Sequence, residues 1–151
     1  KAQALFVDIE HLFQNNLLSD FVQGHAKLSL RKIDLSENGY AKLLFWLVNP
    51  TIPDSEYANT TTGKKRIAKR LAGEEPVRSS HVLIDLDPKH DAKRCYPTSI
   101  EDVDYIPRSM IINYLGKVFK DHFTKKKKRP VQKDEKTGLA ERHRARVISH
   151  V

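Results

Sequence analysis

The sequence is poor in cysteine and has no long apolar segment. Cys95 is the single cysteine among 151 residues, which excludes an internal disulfide framework and a zinc site built from several thiolates. We therefore expect a cytoplasmic or other reducing intracellular compartment. No apolar run approaches the roughly 18 residues of a membrane span, and the first residues given show no cationic-then-apolar pattern typical of a signal peptide. The composition predicts no membrane partner and indicates no cofactor.

Positive charge is distributed unevenly along the chain. The first 60 residues have a net charge of −2 and residues 61–116 a net charge of +2, whereas the last 35 residues hold 12 basic and 4 acidic side chains. The whole net charge of +8 therefore lies at the C-terminal end, and such a field attracts a polyanion. The start at Lys1 and the apolar alternation at the end indicate part of a larger protein or assembly.

The clearest structural signal is a hairpin over residues 26–48. Apolar positions alternate and then change parity after Leu30, which predicts a β-bulge near Arg31 and Lys32. Asn38-Gly39 supplies a turn between the two strands. The second strand is apolar on both parities, so we expect both of its faces to be covered and Trp46 to be buried.

Two further segments lead to an α+β fold. Residues 77–87 alternate as a strand, and residues 106–123 carry an apolar stripe at helical spacing, with a proline well placed to begin the helix. We predict a single α+β domain over residues 1–123, in which an antiparallel sheet built on the hairpin and the 77–87 strand is packed by this helix. Residues 124–151 are predicted to be a basic, partly flexible segment.

Two segments fit more than one structure. Residues 3–13 fit both a strand and a helix, and their Phe, Val and Ile content favours the strand. Residues 64–72 have apolar positions on one side and basic positions on the other, which predicts a short helix ending at Gly73.

Two basic clusters are the candidate binding site. Closely spaced lysine and arginine side chains are what a phosphate backbone requires, because affinity comes from the release of condensed counterions. Aromatic residues are not interleaved with them in sequence, which indicates contact with the backbone rather than base reading. The candidate nucleic-acid-binding residues are Lys64, Lys65, Arg66, Lys69 and Arg70 in the first cluster, and Lys125, Lys126, Lys127, Lys128, Arg129, Arg142, Arg144 and Arg146 in the second.

A second interpretation comes from acidic residues. Asp87-Pro88-Lys89 resembles the Asp/Glu-x-Lys half of the metal-dependent nuclease signature, and Pro53-Asp54 resembles its Pro-Asp half. The resemblance spans five residues and implies an Mg²⁺ site in which Asp54 and Asp87, joined by Asp85 on the same strand, hold the metal and Lys89 assists the attacking water.

The sequence therefore predicts a nucleic-acid-binding domain that contacts the phosphate backbone, of DNA or RNA, without enzymatic activity. Two alternatives remain open: the metal-dependent nuclease, with Mg²⁺ as its cofactor, and a protein–protein adaptor whose basic tail binds an acidic partner.

Overall fold

A computed structural model describes residues 1–37, 39–93 and 95–128, and the side chains of helical residues up to Thr124. Within this part of the chain, α-helices open and close the fold, and the strands lie between them. In chain order the elements are α1 (Ala2–Gln14), β1 (Phe21–Gln23), β2 (Ala26–Asp34), β3 (Tyr40–Val48), β4 (Glu56–Ala58), β5 (Lys65–Ile67), β6 (Val77–Asp85), a 3₁₀ turn (Pro88–His90), β7 (Thr98–Ile100) and α2 (Arg108–Lys128).

Five strands form one curled antiparallel sheet in the order β1-β2-β3-β6-β7. The predicted hairpin and the predicted 77–87 strand are its centre. The register of β2 on β3 shifts between Leu30 and Lys32, which confirms the predicted bulge. β4 and β5 pair only with each other and form a separate two-stranded ribbon within the long β3–β6 connection.

Both helices pack against the same face of the sheet and so create one core. Phe6 of α1 meets Phe119 of α2 edge to face, with ring centroids 5.9 Å apart, and Tyr114 of α2 meets Phe45 of β3 at 5.4 Å. Burial raises the pKa of Tyr114 to about 12. The α+β fold with a helix packed on an antiparallel sheet is therefore as predicted.

Residues 3–13 are helical, so the strand predicted there is wrong. In α1 the positions that reach the core are Ala2, Phe6 and Ile9, whereas Val7 is 51% exposed. A strand would have placed Val7 and Ile9 on the same face. The helix ends where Asn16 adopts a φ of 54°, a left-handed conformation that asparagine tolerates better than most residues.

The short helix predicted over residues 64–72 is also wrong. Lys65–Ile67 is the strand β5, and the following residues are loop. Of the three apolar positions in the predicted stripe, Ile67 and Leu71 are 55% and 71% exposed and Ala68 is partly exposed. Because they bury little surface, the stripe offers too little packing energy to stabilise an isolated helical turn.

Trp46 is 38% exposed, so its predicted burial is wrong. In β3 the alternate residues that include Phe45 and Leu47 face the helices. The residues between them, which include Trp46, face outward. The guanidinium carbon of Arg31 lies 4.7 Å from the centroid of the Trp46 ring. An outward tryptophan shielded by arginine thus takes the place of the expected second buried layer.

Helix α2 begins at Arg108 and continues through Lys128, five residues beyond the end predicted for it from the sequence. Lysine is a good helix former and is favourable at a helix C-terminus, which explains the extension. His122, within the predicted stripe, is 7% exposed and lies 3.4 Å from Asp8 of α1. Residues 129–151, most of the predicted flexible segment, lie outside the described part of the chain.

Candidate nucleic-acid interface

The ribbon formed by β4 and β5 is the most exposed ordered feature of the described chain. We call residues 55–69 the arm. Tyr57 lies opposite Arg66 at the middle of the ribbon, flanked by two further pairs. Every residue from 55 to 67 is exposed, so neither face of the ribbon is covered by the rest of the described chain.

The tip of the arm is a closed, hydrogen-bonded turn. The side-chain oxygen of Asn59 accepts hydrogen bonds from the backbone N–H groups of Thr61 and Thr62 at 3.0 and 2.8 Å. The N–H of Gly63 donates to the Asn59 carbonyl at 2.8 Å. Gly63 has a φ of 69°, which glycine adopts without steric cost. These bonds explain how a tip of small polar residues keeps one conformation.

Arg70 fixes the base of the arm. Its guanidinium donates to the Asp54 carboxylate and to the Ile52 carbonyl, and it also reaches the Pro50 carbonyl at 3.1 Å and Glu75 at 3.3 Å. Ile52 is fully buried. The charge of Arg70 is therefore matched by two carboxylates of the same connection, and this member of the first basic cluster has a structural role.

The other cations of the first cluster project from the arm. Lys64 follows the tip, Lys65 and Arg66 lie in β5, and Lys69 comes two residues after the strand; all four are exposed. None of them forms an ion pair with any acidic group that the structure describes. Glu56 is the one acidic residue within the arm. The arm therefore has a net charge of +3 that nothing in the described structure neutralises.

An aromatic ring does lie among these cations, although the sequence suggested otherwise. The guanidinium carbon of Arg66 is 4.6 Å from the centroid of the Tyr57 ring, and Tyr57 is 52% exposed. The two residues are nine positions apart in sequence and become neighbours only through the pairing of β4 with β5. This cation–π contact holds Arg66 across the ribbon, a contact typically worth about 0.5–1 kcal/mol at exposed sites.

The outward face of the main sheet is the other extended surface. We call the outward side chains of β2, β3 and β6 the open face. Leu44 and Leu83 lie in a shallow trough of about 720 Å³ on this face, beside the Trp46 and Arg31 pair. Acidic neighbours match its other cations: Lys27 with Asp20 at 2.8 Å, Lys32 with Asp34 at 4.0 Å, Lys42 with Glu37 at 2.7 Å and His81 with Glu101 at 2.7 Å.

The second basic cluster is described only in part. Lys125, Lys126, Lys127 and Lys128 form the last turn of α2. Arg129, Arg142, Arg144 and Arg146 lie outside the described residues, and their binding role stays a prediction.

The structure does not bring the predicted nuclease residues together. β3 and β6 pair from Tyr40 opposite Asp85 to Val48 opposite Val77. The connection that contains Asp54 leaves the sheet at the Val48 end of this pairing, whereas Asp85 lies at the Tyr40 end. At about 3.3 Å per residue, the two ends are about 26 Å apart.

The three acidic residues and the lysine also have local partners. Asp54 binds Arg70, and Asp85 lies 3.3 Å from a ring nitrogen of His90. The N–H of Asp87 donates to Asp85 and the N–H of Lys89 donates to Asp87, and these hydrogen bonds lower the pKa of each carboxyl. The Lys89 ammonium lies 2.9 Å from a carboxylate oxygen of Asp87, so it is directed at that carboxylate rather than at an open metal site.

Within residues 1–37, 39–93 and 95–128, no group of three or more histidine, cysteine or acidic side chains converges as metal ligands. In the same part of the chain, no helix combines the length and apolar character of a membrane span. The chain matches no protein-family model, and comparisons with curated proteins and with solved structures give no significant similarity. Functional inference therefore rests on the geometry of the arm and the open face.

Proposed function

We propose that this protein is a nucleic-acid-binding domain, within a larger protein or assembly, that grips the phosphate backbone through the arm and the basic C-terminal region. The observation that carries the proposal is the arm itself. Four exposed cations on an ordered ribbon, with no acidic partner in the described structure, form a site ready for an external polyanion. Association needs no internal ion pair to be broken first.

Arg70 changes its role in this proposal. Because its guanidinium is held by Asp54, Glu75 and two carbonyls, it positions the arm rather than contacting phosphate. Lys64, Lys65, Arg66 and Lys69 remain as the contacts of the first cluster. The free, exposed thiol of Cys95 is compatible with a reducing intracellular compartment.

A protein–protein adaptor is the second candidate, and the open face favours it. Trp46, Val77 and Leu83 are each about two-fifths exposed on one side of the sheet, and partly exposed apolar groups with a polar rim are typical of protein interfaces. The arm lacks such groups apart from Tyr57 and Ile67. The two surfaces allow one molecule to bind nucleic acid and a protein at the same time.

Salt dependence tests the proposed function. If about five phosphates are neutralised, the logarithm of the association constant should fall against the logarithm of salt concentration with a slope near −3 to −5. The measurement is fluorescence anisotropy of a labelled 20-mer between roughly 50 and 300 mM KCl, with both duplex and single-stranded probes. The absence of binding at low salt, or binding that ignores salt, would refute the proposal.

A further inference from the structure

We propose that the arm enters the major groove of double-stranded B-form DNA. This inference rests on the proposed function and names its substrate class. Its first support is the architecture of the arm, because an isolated two-stranded hairpin is at best marginally stable in water. This one is nevertheless built with both faces open, a closed tip and an anchored base. Such a ribbon is suited to having a ligand on both of its faces.

The dimensions of the ribbon fit the groove. Paired strands lie about 4.8 Å apart, and their side chains project from the two faces of the ribbon, which leaves it narrow across the strands. The major groove of B-DNA is about 12 Å wide and 8.5 Å deep and admits a two-stranded β-ribbon. The three paired residues of each strand extend about 10 Å, which matches this depth. The narrow major groove of A-form RNA would exclude the same element.

The chemistry of the arm also fits a groove. The tip presents the hydroxyl groups of Thr60, Thr61 and Thr62, which can reach base edges. Lys64, Lys65 and Lys69 lie beside and behind the tip, where the phosphates bordering a groove would be. Arg66 is held over Tyr57 in the middle of the ribbon, and an arginine so fixed can donate two hydrogen bonds to a guanine edge.

Single strands fit the described surfaces less well. Their non-specific recognition uses aromatic faces on which bases stack. Of the four exposed aromatic rings in the described chain, those of Trp46, Tyr57 and Tyr105 already have an arginine over them, and Tyr40 does not. At the first three rings a base would have to displace the guanidinium or stack on its outer side. The groove of a duplex requires neither change.

The first experiment compares three probes of matched sequence with the full chain at one salt concentration: a 20-base-pair DNA duplex, its single strand and the corresponding RNA duplex. We expect the DNA duplex to bind about tenfold more tightly than either alternative. Dimethyl sulfate footprinting of the bound duplex should show protection of guanine N7, which lies in the major groove. Preference for single strands or for RNA, or an unprotected N7, would overturn the inference and leave the proposed function standing.

A matched pair of variants locates the contact. Arg66→Met removes a cation stacked on tyrosine within the arm, and Arg78→Met removes one stacked on Tyr105, at 5.8 Å, outside the arm. We expect Arg66→Met to weaken duplex binding about tenfold and to remove the N7 protection, and Arg78→Met to change affinity less than twofold. Equal effects of the two variants would refute insertion of the arm. Failure of the wild type to bind any of the three probes would instead refute the proposed function itself.

Discussion

The arm and the open face are both exposed, and both contain basic residues and an arginine stacked on an aromatic ring. They differ in how their charge is balanced. On the open face Lys27, Lys32 and Lys42 each lie within 4.0 Å of a carboxylate, whereas Lys64 and Lys65 in the arm have no such neighbour in the described structure. Counts of basic residues therefore do not identify a polyanion site, because the positions of the acidic residues decide which cations are available.

The largest expected effect concerns whether the open face is a true surface. Phe45 and Trp46 are adjacent in β3, but Phe45 is fully buried and Trp46 is 38% exposed. We expect Phe45→Ala to lower the free energy of unfolding by about 3–5 kcal/mol through lost burial and a cavity. Trp46→Ala should cost about 1–2 kcal/mol, from partial burial and the lost Arg31 contact.

Urea denaturation of the two variants measures these changes. If Trp46→Ala destabilised the protein as much as Phe45→Ala, the open face would have to be covered in solution, and the comparison with the arm would fail. Sedimentation of the wild type would then measure its oligomeric state and show whether a second copy of the protein covers this face.

The next prediction tests charge balance directly. Lys64→Gln/Lys65→Gln removes two unmatched charges from the arm, and Lys32→Gln/Lys42→Gln removes two matched charges from the open face. Each phosphate contact contributes roughly eightfold to affinity at 0.1 M salt and about 0.9 to the salt slope. We expect the arm variant to lose on the order of 50-fold in affinity and the slope to become shallower by about 1.8.

The open-face pair is the control for this effect. Both double variants lower the net charge by two, but the open-face variant leaves two carboxylates unmatched and loses no phosphate contact. We expect a change of about threefold or less, within the range of long-range, screened electrostatics. Equal losses for both pairs would mean that net charge alone governs binding.

Residues 64–72, predicted to be a helix and observed as a strand followed by a loop, show which structural features the local sequence does not determine. Lys64, Lys69 and Ile67 fit a basic amphipathic helix on spacing alone. Residues 65–67 form a strand because they pair with the strand that contains Tyr57. The residues after them form a loop in which Arg70 binds groups up to 20 residues upstream. Local patterns do not contain such pairings, so the basic composition of the site was predictable but its ribbon form and its anchor were not.

The same reasoning explains the outcome at the sheet. The 26–48 hairpin was predictable with its bulge because alternation and an Asn-Gly turn are local signals. Whether Trp46 has a covering layer depends on how many helices the whole chain supplies to each face. Both helices pack on the Phe45 side, and no short-range pattern in β3 reveals that.

Arg70 at the base of the arm and Arg31 on the open face differ in a way that stability measurements can separate. Arg70 joins four partners at the base of the arm, and its side chain is 29% exposed. Arg70→Met leaves the Asp54 carboxylate and two carbonyls without these donors, so we expect a cost of about 1–3 kcal/mol. Arg31→Met on the open face removes one exposed cation–π contact and should cost about 0.5–1 kcal/mol.

Hydrogen exchange distinguishes local from global effects for Arg70→Met. The amides of Gly63 and Ala68, which close the tip and the base of the arm, should exchange faster, while those of β3 should change little. Unchanged protection in the arm would show that Arg70 does not anchor it. An equally fast exchange in Arg31→Met would show that the arm depends on the sheet face.

The smallest expected effect is the response of the open face to acid. The side-chain hydrogen bond from His81 holds the pKa of Glu101 below its ordinary value. A carboxyl with a lowered pKa in the folded state adds stability that is fully present above the ordinary glutamate pKa of about 4.3 and is lost as the pH falls through the lowered value. Glu101→Gln should therefore be less stable than the wild type at neutral pH, and the two should converge in acid. Urea denaturation between about pH 3 and pH 7 would show this as a flatter profile for Glu101→Gln in the acidic range, whereas parallel profiles would mean that the His81 contact contributes nothing to the balance of charge on the open face.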